Sequence, residues 1–205
     1  MIEARHSKWY DAFFNWYLHA ILKKDFSRID VVGTWPGQQR SDLVIGNHVS
    51  WWDGFWVYYL NKRFLKKELY VMMLASQLRD RRFLTRIGAF SIEPGSRDMV
   101  HSLNYAARLL QEPGHLVVMY PQGEIASLSA GVLPFKNGVA QVIKKAGLQQ
   151  VLFYVALLDY FSERKPALTL YLGKAPVEGC STEDLQKAYE KFYQQSLFLQ
   201  SQKKE

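Results

Sequence analysis

The chain has 205 residues, with 26 Lys and Arg against 19 Asp and Glu, five His and a single Cys. That length buries a core in one domain, and 48% hydrophobic with 15% aromatic residues excludes a disordered or fibrous chain and suits one that meets lipid or an apolar ligand. Cys180 alone excludes an internal disulfide and a cysteine-cluster zinc site, and fits a reducing compartment.

The first predicted element is a helix from Lys8 to Leu22. Asp11, Asn15 and His19 recur at every fourth position, and Trp9, Phe13, Phe14, Trp16, Tyr17, Leu18 and Leu22 are among the apolar residues on the remaining surface. Lys23 and Lys24 follow directly. Such a helix serves either as an interfacial membrane anchor or as a packing element on the protein's own core. Residues 1–27 are therefore set apart as an amphipathic, membrane-associating helix, and residues 28–205 form one compact domain without repeats or linkers. Glu3 and Asp11 stand where a signal peptide is basic and then apolar. The longest apolar run, Val151 to Leu158, falls far short of the ~18 residues of a spanning helix. The expected location is cytoplasmic, peripherally associated with the cytoplasmic membrane.

Beyond the helix, apolar runs at Leu43–Ile45, Leu69–Ala75, Ala89–Ile92, Leu116–Tyr120 and Val151–Leu158 read as strands, several apolar on both faces. Trp52–Lys66, Ser76–Ile87, Arg97–Gln111, Asn137–Ala146 and Ser181–Leu197 read as helices. Ser181 and Asp184 form an N-cap arrangement, and Gly114 and Gly147 stand where helix C-caps fall. Leu168–Leu172 adds a late strand at or near a sheet edge. The alternation predicts an α/β fold, a single domain whose mostly parallel mixed sheet is flanked by helices. Between Asn61 and Arg86, eight Lys and Arg face two carboxylates. This stretch suits cofactor phosphates, an acidic carrier protein, anionic lipid headgroups or simple solvation. No nucleic-acid-binding module is recognisable, so no nucleic-acid partner is expected.

In such sheets, ligands gather at the carboxyl ends of the strands. Three polar segments fall there: Gly46 to Asp53, Glu93 to Arg97, and Tyr120 to Glu124. His48 and Asp53 are five positions apart, about 140° off a common face in one helix, so they pair only across a bend. A strand end followed by a helix start supplies it. Asp53 then fixes one imidazole nitrogen and leaves the other to accept a proton. No Gly-x-Ser-x-Gly elbow is present, Ser50 reads as a cap, and the other histidines are scattered, so neither a covalent acyl-enzyme nor a metal site is expected.

The segments together resemble the phospholipid/glycerol acyltransferase superfamily, which includes lysophospholipid and 1-acylglycerol-3-phosphate acyltransferases. Asn47-His48-Val-Ser-Trp-Trp-Asp53 matches its His-x4-Asp block. Gly88-Ala-Phe-Ser-Ile-Glu93-Pro-Gly-Ser-Arg97 resembles its second block, Tyr120-Pro-Gln-Gly-Glu124-Ile125 its third, and Val151 to Leu158 its fourth. Lys136, in Phe135-Lys-Asn-Gly138, matches a stretch between the last two. Pro94 replaces a usual Arg, with Arg97 nearby; Gln122, Glu124 and Ile125 replace Glu, Thr and Arg.

The resemblance implies a glycerolipid-acyltransferase-like fold and transfer of a fatty acyl group from acyl-CoA or acyl carrier protein to a lipid hydroxyl, without a permanently bound cofactor. It implies His48 as base, Asp53 as its orienting partner and the Gly123 turn as oxyanion donor. Arg97, Lys136, Gln122 and Glu124 fall to the phosphates of donor or acceptor, and Trp51, Trp52, Phe55, Phe90 and Tyr120 to the acyl tunnel. The lost cations make a non-phosphate hydroxyl or amine acceptor an alternative. A non-catalytic lipid- or carrier-binding module and a thioesterase are the competing functions.

Overall fold

The computed structural model describes residues 1–33 and 40–204. Seven strands form one sheet among these residues: β1 (Arg28–Gly33), β2 (Asp42–Gly46), β3 (Glu68–Leu74), β4 (Ala89–Ile92), β5 (His115–Met119), β6 (Gln150–Asp159) and β7 (Ala167–Pro176). Their spatial order is β1-β7-β6-β2-β5-β3-β4, parallel throughout except for the antiparallel β6–β7 pair. Helices α1 (Lys8–Asp25), α2 (Asp53–Leu60), α3 (Ala75–Asp80), α4 (Asp98–Gln111), α5 (Gly138–Ala146) and α6 (Thr182–Ser201) complete the fold. This is the α/β architecture that the alternation of runs predicts.

The central strands are apolar on both faces because both faces are covered. Leu43, Ile45, Val117 and Phe153 point into a core shared with α4, α5 and α6, and the intervening Val44, Leu116, Val118 and Leu152 point into a second core shared with α1 and α2. Phe14, Leu18 and Leu22 bury one side of α1 in that second core, while Trp9, Phe13, Trp16 and Tyr17 stay exposed. The packing reading of the first helix thus holds for one side of it, and the other side is open to solvent.

The long helix expected to run from Trp52 to Lys66 is shorter. After Leu60 the chain widens into a π turn, Asn61–Leu65, closed by Lys66 at φ 54°. The Asn61 side chain clamps the exit: its Nδ2 donates to Lys67 O at 2.8 Å, and its Oδ1 accepts from Lys67 N at 3.1 Å. The next helix also breaks early, at Arg81, and continues as a 3₁₀ turn over Arg82–Ile87. Strand β1 was not anticipated, since Arg28, Asp30 and a half-exposed edge position mask its pattern. Gly147 caps α5 and Ser181 with Asp184 forms a capping box on α6, whereas α4 ends at Glu112 and Gly114 turns the chain toward β5.

The basic stretch does not act as one patch. Lys67 is buried in an ion pair with Asp42, Lys62 pairs with Asp11, Arg79 meets Glu93 at 3.7 Å, and the Arg81 guanidinium covers the Trp51 ring at 4.6 Å. Lys66, Arg82 and Arg86 remain exposed.

Candidate functional site

Strands β2, β5 and β6 are neighbours, so the loops after β2 and β5 emerge side by side. Asn47 fixes the turn out of β2: its Nδ2 donates to Ala156 O at 3.1 Å and its Oδ1 accepts from Ala156 N at 3.0 Å. The chain then wraps around the first residue of α2. One oxygen of Asp53, Oδ2, accepts from Val49 N at 2.7 Å, Ser50 N at 3.0 Å and His48 Nδ1 at 2.8 Å. The loop therefore supplies the bend that the spacing requires. Asp53 is fully buried, whereas the His48 side chain is 23% exposed. Since the carboxylate accepts, Nδ1 carries the proton and Nε2 presents its lone pair. Burial pushes the Asp53 carboxyl above its ordinary range, against the hydrogen bonds from His48, Ser50 and Val49.

The loop after β5 locks onto this arrangement. Gln122 is buried; its Nε2 donates to His48 O at 2.9 Å and Glu124 O at 2.7 Å, and its Oε1 accepts from His48 N at 3.3 Å. Expected among the phosphate contacts, Gln122 is thus a clamp with no polar atom left to offer. Gly123 also departs from expectation, because its N–H donates to Tyr120 O at 3.0 Å inside the turn and is not free for an oxyanion. Its φ of +75° and the Lys136 chain lying over it explain the glycine: a Cβ there would stand 2.5 Å from Lys136 Nζ. Lys136 is therefore a cation brought to the site.

His48 lies on the wall of an apolar cavity of about 160 Å³. Of the residues expected at an acyl tunnel, Trp51, Phe55 and Tyr120 line this cavity, together with Gly123 and Glu124. Trp52 packs edge-on against Phe55, centroids 5.5 Å apart, and stands outside the lining. Phe90 is on the other side of the sheet, buried against Tyr105 at 5.2 Å; its neighbour Ala89 faces the cavity instead. Arg97 is exposed after the edge strand β4 and does not reach the cavity walls. Leu69, Val71 and Met73 of β3, with Met72 and Leu74, were missed as lining residues, because that run is apolar on both faces and has no alternation to read.

Ser50 Oγ accepts from Trp52 N at 3.1 Å and closes the turn ahead of α2; Trp52 itself holds the N-cap position, so Ser50 is not the helix cap its place suggests. Among the described residues, no group of three His, Cys, Asp or Glu side chains is placed to hold a metal ion. No helix among them is long and apolar enough to cross a membrane.

The sequence profile described as Acyltransferase matches residues 28–156. Among solved structures, the 1-acyl-sn-glycerophosphate (LPA) acyltransferase PlsC from Thermotoga maritima is similar, with a TM-score of 0.65 at 17% identity, over 94% of this chain and 81% of that one. No curated protein sequence gives a significant match.

Proposed function

We propose that this chain, which belongs to the acyltransferase family, moves a fatty acyl group from acyl-CoA or acyl carrier protein onto the hydroxyl of a membrane lipid acceptor such as a lysophospholipid. The observation that carries this reading is the His48–Asp53 pair at the wall of an apolar cavity, with Nε2 unengaged among the described residues. The cavity takes the acyl chain, which fixes the thioester carbonyl beside His48. Nε2 removes the acceptor's hydroxyl proton as its oxygen attacks that carbonyl. The tetrahedral intermediate then expels the thiolate, which takes the proton back from the imidazolium. Asp53 stabilises the imidazolium in between. No acyl-enzyme is needed, since the acceptor oxygen attacks the thioester directly; Ser50 Oγ sits in the turn ahead of α2, and Cys180 lies near Pro176, beyond β7.

The similar Thermotoga protein is named for a phosphate-bearing acceptor. Here Ile125 lines the cavity in place of a usual cation and Arg97 stays outside, while Lys136 over Gly123 and Arg81 over the Trp51 ring bring positive charge near it. Without the two usual cations, an acceptor headgroup with less negative charge than a phosphate monoester, or a neutral hydroxyl, is favoured. The exposed aromatic side of α1, with Lys23 and Lys24 in its last turn, seats the enzyme on the membrane that holds the acceptor.

The deciding experiment supplies acyl-CoA and acyl-carrier donors with lysophosphatidate, lysophosphatidylethanolamine or monoacylglycerol, and follows thiol release and acylated product by mass. Acceptor-dependent product that disappears in a folded His48→Ala variant is expected. Free fatty acid as the sole product makes the chain a thioesterase, and donor binding without thiol release makes it a binding module.

A further inference from the structure

Behind the imidazole lie polar atoms that proton transfer at Nε2 does not use. Asp53 engages His48 through Oδ2, while Oδ1 is buried without a hydrogen-bond partner. Two tyrosine hydroxyls share that condition, Tyr120 just after β5 and Tyr154 in β6. Unpartnered buried polar atoms are costly and rare in folded proteins. The two rings come together at the end of β2, where a Cβ on Gly46 would stand 2.6 Å from Tyr154 Cδ1 and 3.3 Å from Tyr120 Cε1. The Tyr120 ring lies nearly flat on His48, with centroids 4.5 Å apart and planes 16° from parallel. Burial raises both hydroxyls far above the ordinary tyrosine range, and the Asp53 charge adds to this, so both remain proton donors throughout the working range of an imidazole base.

Two hydroxyls and one carboxylate oxygen are the set of partners that an internal water satisfies. On the premise that His48 and Asp53 form the working dyad, we infer that Tyr120 and Tyr154 are positioning residues, joined to Asp53 Oδ1 through a shared buried water. A donor on Oδ1 draws charge away from Oδ2 and weakens its hold on the imidazolium. The dyad then takes up its proton only at lower pH than it would without that donor. The stacked Tyr120 ring fixes the imidazole plane at the same time. The other titratable groups around the dyad are Tyr189 of α6, whose hydroxyl donates to Tyr154 O at 2.8 Å, and Tyr58, Glu124 and Lys136 at the cavity. The substitutions that test the inference leave all four in place.

Tyr120→Phe and Tyr154→Phe each delete one hydroxyl and no carbon. Two measurements on the full chain read the effect: kcat and KM for acyl transfer against pH, and the ¹³C NMR titration of the Asp53 carboxyl. In each variant kcat is expected to fall about threefold to tenfold with the donor KM unchanged. The acid limb of the rate profile and the NMR midpoint both move to higher pH by about half a unit. The thermal midpoint falls slightly, since the shared water and Asp53 Oδ1 lose a hydrogen-bond donor. Unmoved acid limbs and an unmoved Asp53 titration in both variants would overturn the inference and leave the hydroxyls as packing. The NMR arm requires no turnover, so it still judges the hydroxyls if His48→Ala retains activity and the dyad assignment itself fails.

Discussion

Asp53 sits where three donors converge on one oxygen inside a region closed to water. The hydrogen bonds do not fully offset the burial, since the carboxyl stays above its ordinary range. On the proposed mechanism, a charge held there at a cost to the fold is the one that stabilises the His48 imidazolium. Asp53→Asn separates the two effects. The backbone N–H groups of Val49 and Ser50 hold the amide oxygen on the histidine side, so the imidazole keeps its orientation and loses only the charge beside it. Activity is expected to fall about 10²-fold or more, while stability at neutral pH equals or exceeds that of the natural protein. The pH dependence has a definite sign. An aspartate raised above its unfolded value binds its proton more tightly in the native state, so the natural protein gains stability relative to Asp53→Asn as pH falls through that raised value. Thermal melts across the acid range check this; a variant much less stable than the natural protein at neutral pH would contradict it. The pair was legible in the sequence because its spacing works only with a bend. The committed N–H of Gly123 and the buried Gln122 were not legible, because both depend on how one turn closes against another loop.

Strand pleat decides which neighbours of the motifs reach the cavity. Ala89 and Phe90 are adjacent in β4, yet one faces the cavity and the other the α4 core. The sequence places both beside the second block but gives no face, because a short strand apolar on both sides has no alternation to read. Helix ends are obscured for a related reason: the π turn at Asn61–Leu65 keeps the apolar pattern going after the α-helix has stopped. The two substitutions should accordingly have opposite signatures. Ala89→Leu fills part of the cavity and is expected to shift preference toward shorter acyl donors, raising KM for long chains with little effect on short ones. Phe90→Ala opens a hole in the other core and is expected to cost about 3–5 kcal/mol of stability without changing donor preference. Assays with donors of graded length, beside thermal melts, distinguish them; equal donor profiles in the two variants would refute the assignment of faces.

Across the whole molecule, function depends on strand order, which no local pattern encodes. The first and third polar segments meet because β2 lies next to β5, while the second segment stays apart because β4 is the sheet edge, separated from β5 by β3. The α/β class follows from the run of elements, whereas these neighbours follow from long-range pairing. The same scale bears on the membrane role proposed for α1. Its buried residues Phe14, Leu18 and Leu22 anchor it to the sheet, and the Tyr58 hydroxyl, donating to Asp11 O at 2.9 Å, ties it to α2. That leaves Trp9 90% and Trp16 68% exposed, an arrangement no packing need explains. Replacing both tryptophans by alanine is therefore expected to leave the thermal midpoint unchanged and to weaken binding to anionic lipid vesicles by about tenfold or more. Because Lys23 and Lys24 lie in the last turn of the same helix, added salt weakens the natural protein's binding as well. Leu18→Ala, on the buried side, instead lowers the melting temperature. Vesicle binding that survives the double tryptophan replacement would remove α1 as the membrane contact and leave its aromatic side without a role in reaching the acceptor.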